Sequence, residues 1–195
     1  MEFTPEHLEK LRVYNEDASY FRGTVLNEMA NLELYINLYI ASYFCPNDYD
    51  KIHEMQLLIL GDSRTTLGGK IEVFHNIAKI HDKQWLDAYK GDKTLVKDLT
   101  YVMEQRNIFA HRIIDLDSFT TERPEKTVRF LTFKNSLDKV DYDERKFENL
   151  MILIYNICDY FHQKHQHIKG TLPPQTKSAC TPLNRRRGIK HRKFL

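Results

Sequence analysis

The spacing of apolar positions predicts helices over most of the chain. Thr4 before Pro5 forms an N-cap and first-turn pair, opening a short helix through Leu8, Leu11 and Tyr14. A stronger helix follows from Tyr20 to Phe44. In it Val25, Met29, Leu32, Ile36, Tyr39 and Tyr43 recur at threes and fours until Pro46 stops the run. "DYDKIHEMQLLIL" reads as a third helix, broken at "GDSRTTLGG". The next, Lys70 to Ile80, carries Ile71, Phe74 and Ile77 on one face, and "GDKT" then starts a helix that runs through "VMEQRNIFAHRII", residues 102–114.

Beyond Ile114 the period changes. "RIIDLDSF" and "KTVRFLTFK" are short, β-branched and aromatic, and "TTERPEK" separates them, which predicts a small irregular hairpin. "DYDERK" leads into a long final helix with Phe147, Leu150, Ile154, Ile157 and Phe161 in register. The expected architecture is an all-α bundle of four to five core helices, with one β-hairpin excursion between the 102–114 helix and the last. Residues 1–168 form this helical domain. Residues 169–195, with paired prolines, polar filler and a basic end, read as a flexible appendage.

Composition narrows the class. A chain of 195 residues that is 42% hydrophobic can bury one core. No stretch approaches the roughly 18 uninterrupted apolar residues of a membrane span, and "MEFTPEHLEKLR" is polar and acidic where a signal peptide is basic and then apolar. The chain reads as soluble, cytoplasmic and without a membrane partner. Cys45, Cys158 and Cys180 are widely spaced and lack any CxxC pairing, which fits a reducing compartment and excludes a disulfide framework. The formal charge of +2 hides an asymmetry. From Lys169 onward there are eight basic residues and no acid, leaving 21 basic against 27 acidic residues in the body.

The chemistry concentrates in the 102–114 stretch. A helical wheel puts Leu95, Leu99, Val102, Phe109 and Ile113 in one stripe, with Arg106 inside it. A guanidinium there keeps its proton and is costly to bury unpaired. It must meet a carboxylate, a set of carbonyls, a second subunit or a ligand anion. Asn107 and His111 stack at i and i+4 on a neighbouring face. Arg106 and His111 are about 140° apart around an ideal helix and roughly 7.5 Å along it. To serve one small ligand, either the arginine wraps round, or the same helix of a second copy faces it across a two-fold axis.

Arg106-Asn-Ile-Phe-Ala-His111 resembles the R-x4-6-H signature, in its R-N-x3-H form, of the HEPN superfamily (higher eukaryotes and prokaryotes nucleotide-binding domain). The order of elements is similar over roughly residues 20–167: a long first helix containing Glu33, a "GGKIEVF" helix, the motif near a helix C-terminus and a long closing helix. The resemblance implies a metal-independent, cofactor-free endoribonuclease, often a toxin or antiphage effector, acting as a homodimer with the motif at its interface and held in check by an antitoxin or other partner. In that reading His111 moves a proton at the ribose 2′-OH or the leaving 5′-oxygen. Arg106 holds the phosphate and Asn107 orients the imidazole or phosphate, giving 2′,3′-cyclic phosphate and 5′-OH ends. Some toxin members extend the motif to H-x-Y, with the tyrosine an AMPylation target; here that position is Ile113, and Tyr101 is not its equivalent.

Plainer readings stand beside these. Arg106 can pair with Glu33 or Glu104, and His111 can cap the helix C-terminus, where a cation is favoured. Cys158, His162 and His165, at spacings of four and three, can offer one face to zinc, but a solvated helix end accounts for them more simply. "GDSRTTLGGK" lacks the residue order of a phosphate loop and reads as a helix break, with Arg64 and Lys70 as candidate RNA contacts. Arg185, Arg186, Arg187, Lys190, Arg192 and Lys193 in the tail are candidates for salt-sensitive attraction to RNA. The alternative function is a non-catalytic dimerisation module, with activity residing in a partner.

Overall fold

The structure is a computed structural model that describes residues 4–115, 127–134 and 136–168. Among these, six helices surround one core and a three-stranded antiparallel sheet covers one end, so the molecule is mostly helical rather than all-α.

Helix α1 spans Pro5–Phe44, about 60 Å at the usual rise. The Thr4 hydroxyl caps it by accepting the His7 N–H at 3.3 Å. The two helices expected before Pro46 are therefore one. Nothing between Tyr14 and Tyr20 breaks the backbone, and Glu6–Lys10 (2.8 Å), Glu9–Arg12 (2.6 Å) and Arg12–Glu16 (2.5 Å) pairs line its exposed first third. Tertiary contact also holds this segment: the Tyr14 hydroxyl accepts the Arg129 N–H at 3.1 Å and donates to the Asp115 carbonyl at 3.3 Å. The buried run from Ala18 through Val25, Leu32 and Ile36 to Ala41 makes α1 the central helix, packed against the helices Tyr49–Met55, Leu67–His81, Leu95–His111 and Glu144–Ile168.

After Pro46, Asn47 turns the chain at φ 64°, a left-handed conformation that asparagine tolerates. Helix α2, Tyr49–Met55, is capped by Asp48 and widens into a π-helical turn, Gln56–Leu60. Gly61 ends that turn, where an added Cβ would lie 2.9 Å from the Gln56 carbonyl oxygen. Helix α3, Leu67–His81, starts three residues earlier than the expected Lys70 because the Thr66 hydroxyl accepts the Gly69 N–H. The short α4, Lys83–Asp87, was not legible in the pattern. It seats Trp85 between Tyr39 and Tyr160, with ring centroids at 5.7 and 5.0 Å.

Helix α5 is Leu95–His111, capped by Thr94. It ends three residues short of the expected Ile114. Arg112 is extended, and Ile113–Ile114 form strand β1, pairing with Leu131 and Phe130 of β2, Val128–Lys134. The hairpin partners were thus read correctly. A third strand, β3, Ser136–Tyr142, was missed, and its last two residues, Asp141 and Tyr142, were assigned to the approach of the last helix. Its register runs from Val128 opposite Tyr142 to Lys134 opposite Ser136. Phe109, Phe130 and Tyr142 join α5 to the sheet, with centroids 4.6 to 5.7 Å apart. Helix α6, Glu144–Ile168, opens where Asp143 accepts the Lys146 N–H at 2.6 Å, and lays Phe147, Leu150, Ile154, Ile157 and Phe161 on α1. Among the described residues no helix is long and apolar enough to cross a membrane.

Candidate functional site

The inward face of α5 consists of Leu95, Asp98, Leu99, Val102, Gln105 and Phe109. Asp98 and Gln105, not Arg106, are the polar residues on the packing face, and each has a partner: the Tyr89 hydroxyl donates to Asp98 Oδ2 at 3.0 Å and the Tyr142 hydroxyl donates to Gln105 Oε1. The expected stripe was rotated by a few tens of degrees, and its last member, Ile113, is 64% exposed on β1. Arg106 lies on the flank of the stripe, half-buried, with Asn107 exposed beside it.

That flank forms one wall of a cleft of about 580 Å³. Met103, Arg106 and Asn107 of α5 face Glu33 and Asn37, one turn apart on α1. Gly61, Asp62, Ser63, Thr65 and Thr66 of the connecting loop complete the lining, followed by Leu67, Gly68 and Lys70 at the start of α3. Polar groups dominate because each wall is the edge of a helix where the apolar stripe ends.

The charges in the cleft are unequal in their partners. Lys70, only 3% exposed, forms an ion pair with Glu33, whose side chain is 31% exposed. Glu33 therefore pairs with Lys70 and not with Arg106. Asp62 is held by Arg64 through Nε at 2.9 Å and Nη2 at 3.0 Å, and that guanidinium keeps its carboxyl below the usual carboxylate range. Arg106 hydrogen-bonds the Asn107 Oδ1 at 3.2 Å, and no carboxylate among the described residues pairs with it. The plainer reading of Arg106 as one half of an ion pair with Glu33 or Glu104 is not met. The Asn37 Oδ1 is buried without a partner among the described residues.

Of the expected site residues, the cleft gathers Arg106, Asn107, Glu33 and Lys70. His111 is not in its lining. It is the exposed last residue of α5. Arg64 points outward at 89% side-chain exposure, beside the cleft rather than in it. Arg185, Arg186, Arg187, Lys190, Arg192 and Lys193 lie outside the described residues. Asn37 and Met103 were missed, although each stands three or four residues from a named one on the same helix, Glu33 and Arg106, a spacing that signals a shared face. Arg22 was also missed: it donates to the Arg112 carbonyl just past His111 and covers the Phe130 ring at 5.3 Å, holding the exit of α5 in place.

The Cys158, His162 and His165 face is not a solvated helix end. Cys158 and His165 are 1% and 3% exposed, packed toward α1, where Tyr35 stacks on His165 at 6.1 Å and meets His162 edge-on at 6.3 Å. Burial lowers the His165 pKa to about 4. No group of three metal-ligating side chains is gathered among the described residues.

Neither protein-family models, curated proteins nor solved structures match the chain.

Proposed function

We propose that the chain is a metal-independent endoribonuclease of the HEPN type, with Arg106 and Asn107 as its phosphate-binding pair and His111 as its proton-transfer group. The observation that supports it is the state of Arg106. This permanently charged group stands on a cleft wall with an amide oxygen as partner and no carboxylate to neutralise it among the described residues, a disposition suited to a phosphodiester. In the reaction the ribose 2′-oxygen attacks phosphorus, the P–O5′ bond breaks, and Arg106 compensates the charge accumulating on the non-bridging oxygens. His111 takes the 2′-OH proton or gives one to the 5′-oxygen.

Because His111 lies outside the cleft of its own chain, the reading includes a homodimer in which α5 of a second copy brings His111 to the Arg106 side. Leu57, Leu58 and Ile59, exposed at 61, 73 and 56%, immediately precede the cleft loop and provide apolar surface for such a copy to cover. A toxin or antiphage role with a cognate antitoxin belongs to the same proposal.

The test is an RNA cleavage gel in EDTA alongside size-exclusion chromatography. Arg106→Ala and His111→Ala are expected to abolish cleavage while leaving the folded dimer unchanged; undiminished cleavage by purified His111→Ala would rule the reading out. That His111 does not line the cleft also favours a second reading, a non-catalytic dimerisation module. It predicts no cleavage by the wild type and a loss of dimer in Arg106→Ala.

A further inference from the structure

We infer that Glu33 is a placeholder carboxylate for the anion of the cleft, and that Lys70 is a second phosphate-binding cation which Glu33 releases when substrate enters; the inference rests on the ribonuclease reading above. Three observations carry it. Lys70 is buried and its ammonium has Glu33 as its only hydrogen-bond partner among the described residues, leaving two of three N–H donors unused. Glu33 is the more exposed half of the pair, at 31% against 3% for Lys70, so it is the partner with room to turn toward water. Both line the same cleft as Arg106, the cation without a carboxylate.

A buried ammonium cannot be left unpaired, so it cannot act by moving away from its partner. It can act by exchanging partners. Arg106 and Lys70 both line the cleft, so a phosphate held there by Arg106 can take the place of the Glu33 carboxylate on Lys70 as Glu33 turns into water. The ammonium stays paired throughout, which keeps the exchange shallow in energy. Asn37, one turn beyond Glu33, has a carboxamide oxygen that is buried without a partner and can accept from a sugar hydroxyl beside that phosphate. The ligand class is thus a ribose phosphate gripped by two cations, with an internal carboxylate competing for one of them. That competition lowers occupancy of the cleft by weakly bound anions.

The experiment is calorimetric titration of the full chain with adenosine 3′-monophosphate. Glu33→Gln, which keeps a hydrogen-bond acceptor for Lys70 but removes the competing charge, is expected to bind about tenfold more tightly than wild type. Glu33→Asp, which retains the charge, stays near wild type. Lys70→Met weakens binding about tenfold, and the double variant matches Lys70→Met, because the effect of Glu33 passes through Lys70. Circular dichroism accompanies each variant. If Lys70→Met does not fold, the contrast between Glu33→Gln and Glu33→Asp decides. Equal or weaker binding by Glu33→Gln, or a gain that persists in the double variant, overturns the exchange. Binding that is lost in Arg106→Ala yet unchanged in Glu33→Gln overturns the exchange alone and leaves the ribonuclease reading standing. A wild-type chain that neither binds the nucleotide nor cleaves RNA overturns both.

Discussion

Lys70, Arg106 and His165 are three cationic or potentially cationic residues, and their neighbours give each a different task. Lys70 is paired with Glu33 in the lining of the cleft, Arg106 has only an amide for a partner, and His165 is kept neutral by burial. His165 makes a pH prediction. Its folded pKa of about 4 lies below the ordinary histidine value of 6.5, so between those values the unfolded chain binds the extra proton. Stability is therefore expected to rise with pH across this window and to be lost as pH falls from about 6.5 to about 4. The loss reaches up to ~3 kcal/mol for this group. Thermal melts of wild type and His165→Phe check it: the variant's Tm should depend less steeply on pH in that window, and parallel curves would refute the claim. The spacing of Cys158, His162 and His165 was plain in the sequence. That Tyr35 would stack on His165 was not, since Tyr35 lies 130 positions away.

Helix α5 shows how far an element can be read alone. Its start at "GDKT" was legible because a threonine cap works locally, whereas its end was not, because nothing in "HRII" stops a helix by propensity. The sheet stops it: Ile113 and Ile114 pair with β2, and Arg22 takes the Arg112 carbonyl. The rotation of its buried face, from Arg106 to Gln105, has the same origin, since Tyr142 of the unpredicted β3 supplies the partner that lets glutamine be buried. Tyr142→Phe leaves the Gln105 carboxamide short of that donor in a site where Tyr142 itself is 1% exposed. The expected cost is about 1–3 kcal/mol. Chemical denaturation should show a lower midpoint with an unchanged slope; an unchanged midpoint would mean the bond contributes nothing. Helix α1 makes the complementary point. Its apolar spacing marked the half from Tyr20 onward, while the solvated half was extended by ion pairs and by Tyr14 reaching the sheet.

For the whole molecule, the decisive question is how Arg106 and His111 meet. If the proposed dimer shares its sites, each site takes Arg106 from one copy and His111 from the other. Mixing Arg106→Ala and His111→Ala chains, each inactive alone, then restores about a quarter of wild-type cleavage after subunit exchange, because half the dimers are mixed and each holds one intact site of two. A mixture as inactive as its components would show that the two residues act within one chain. What the sequence by itself determined is what local physics controls: the helical periods, the Thr4 cap, a strand pair drawn from "RIIDLDSF" and "KTVRFLTFK", one core, and the motif residues themselves. Only the tertiary structure decided which of those residues share a cleft. It joined Glu33 to Lys70 across 37 positions, left Arg106 without a carboxylate among the described residues, and set His111 outside. A side chain's partner depends on which helix edges converge, and that is a property of packing, which no single element's pattern contains.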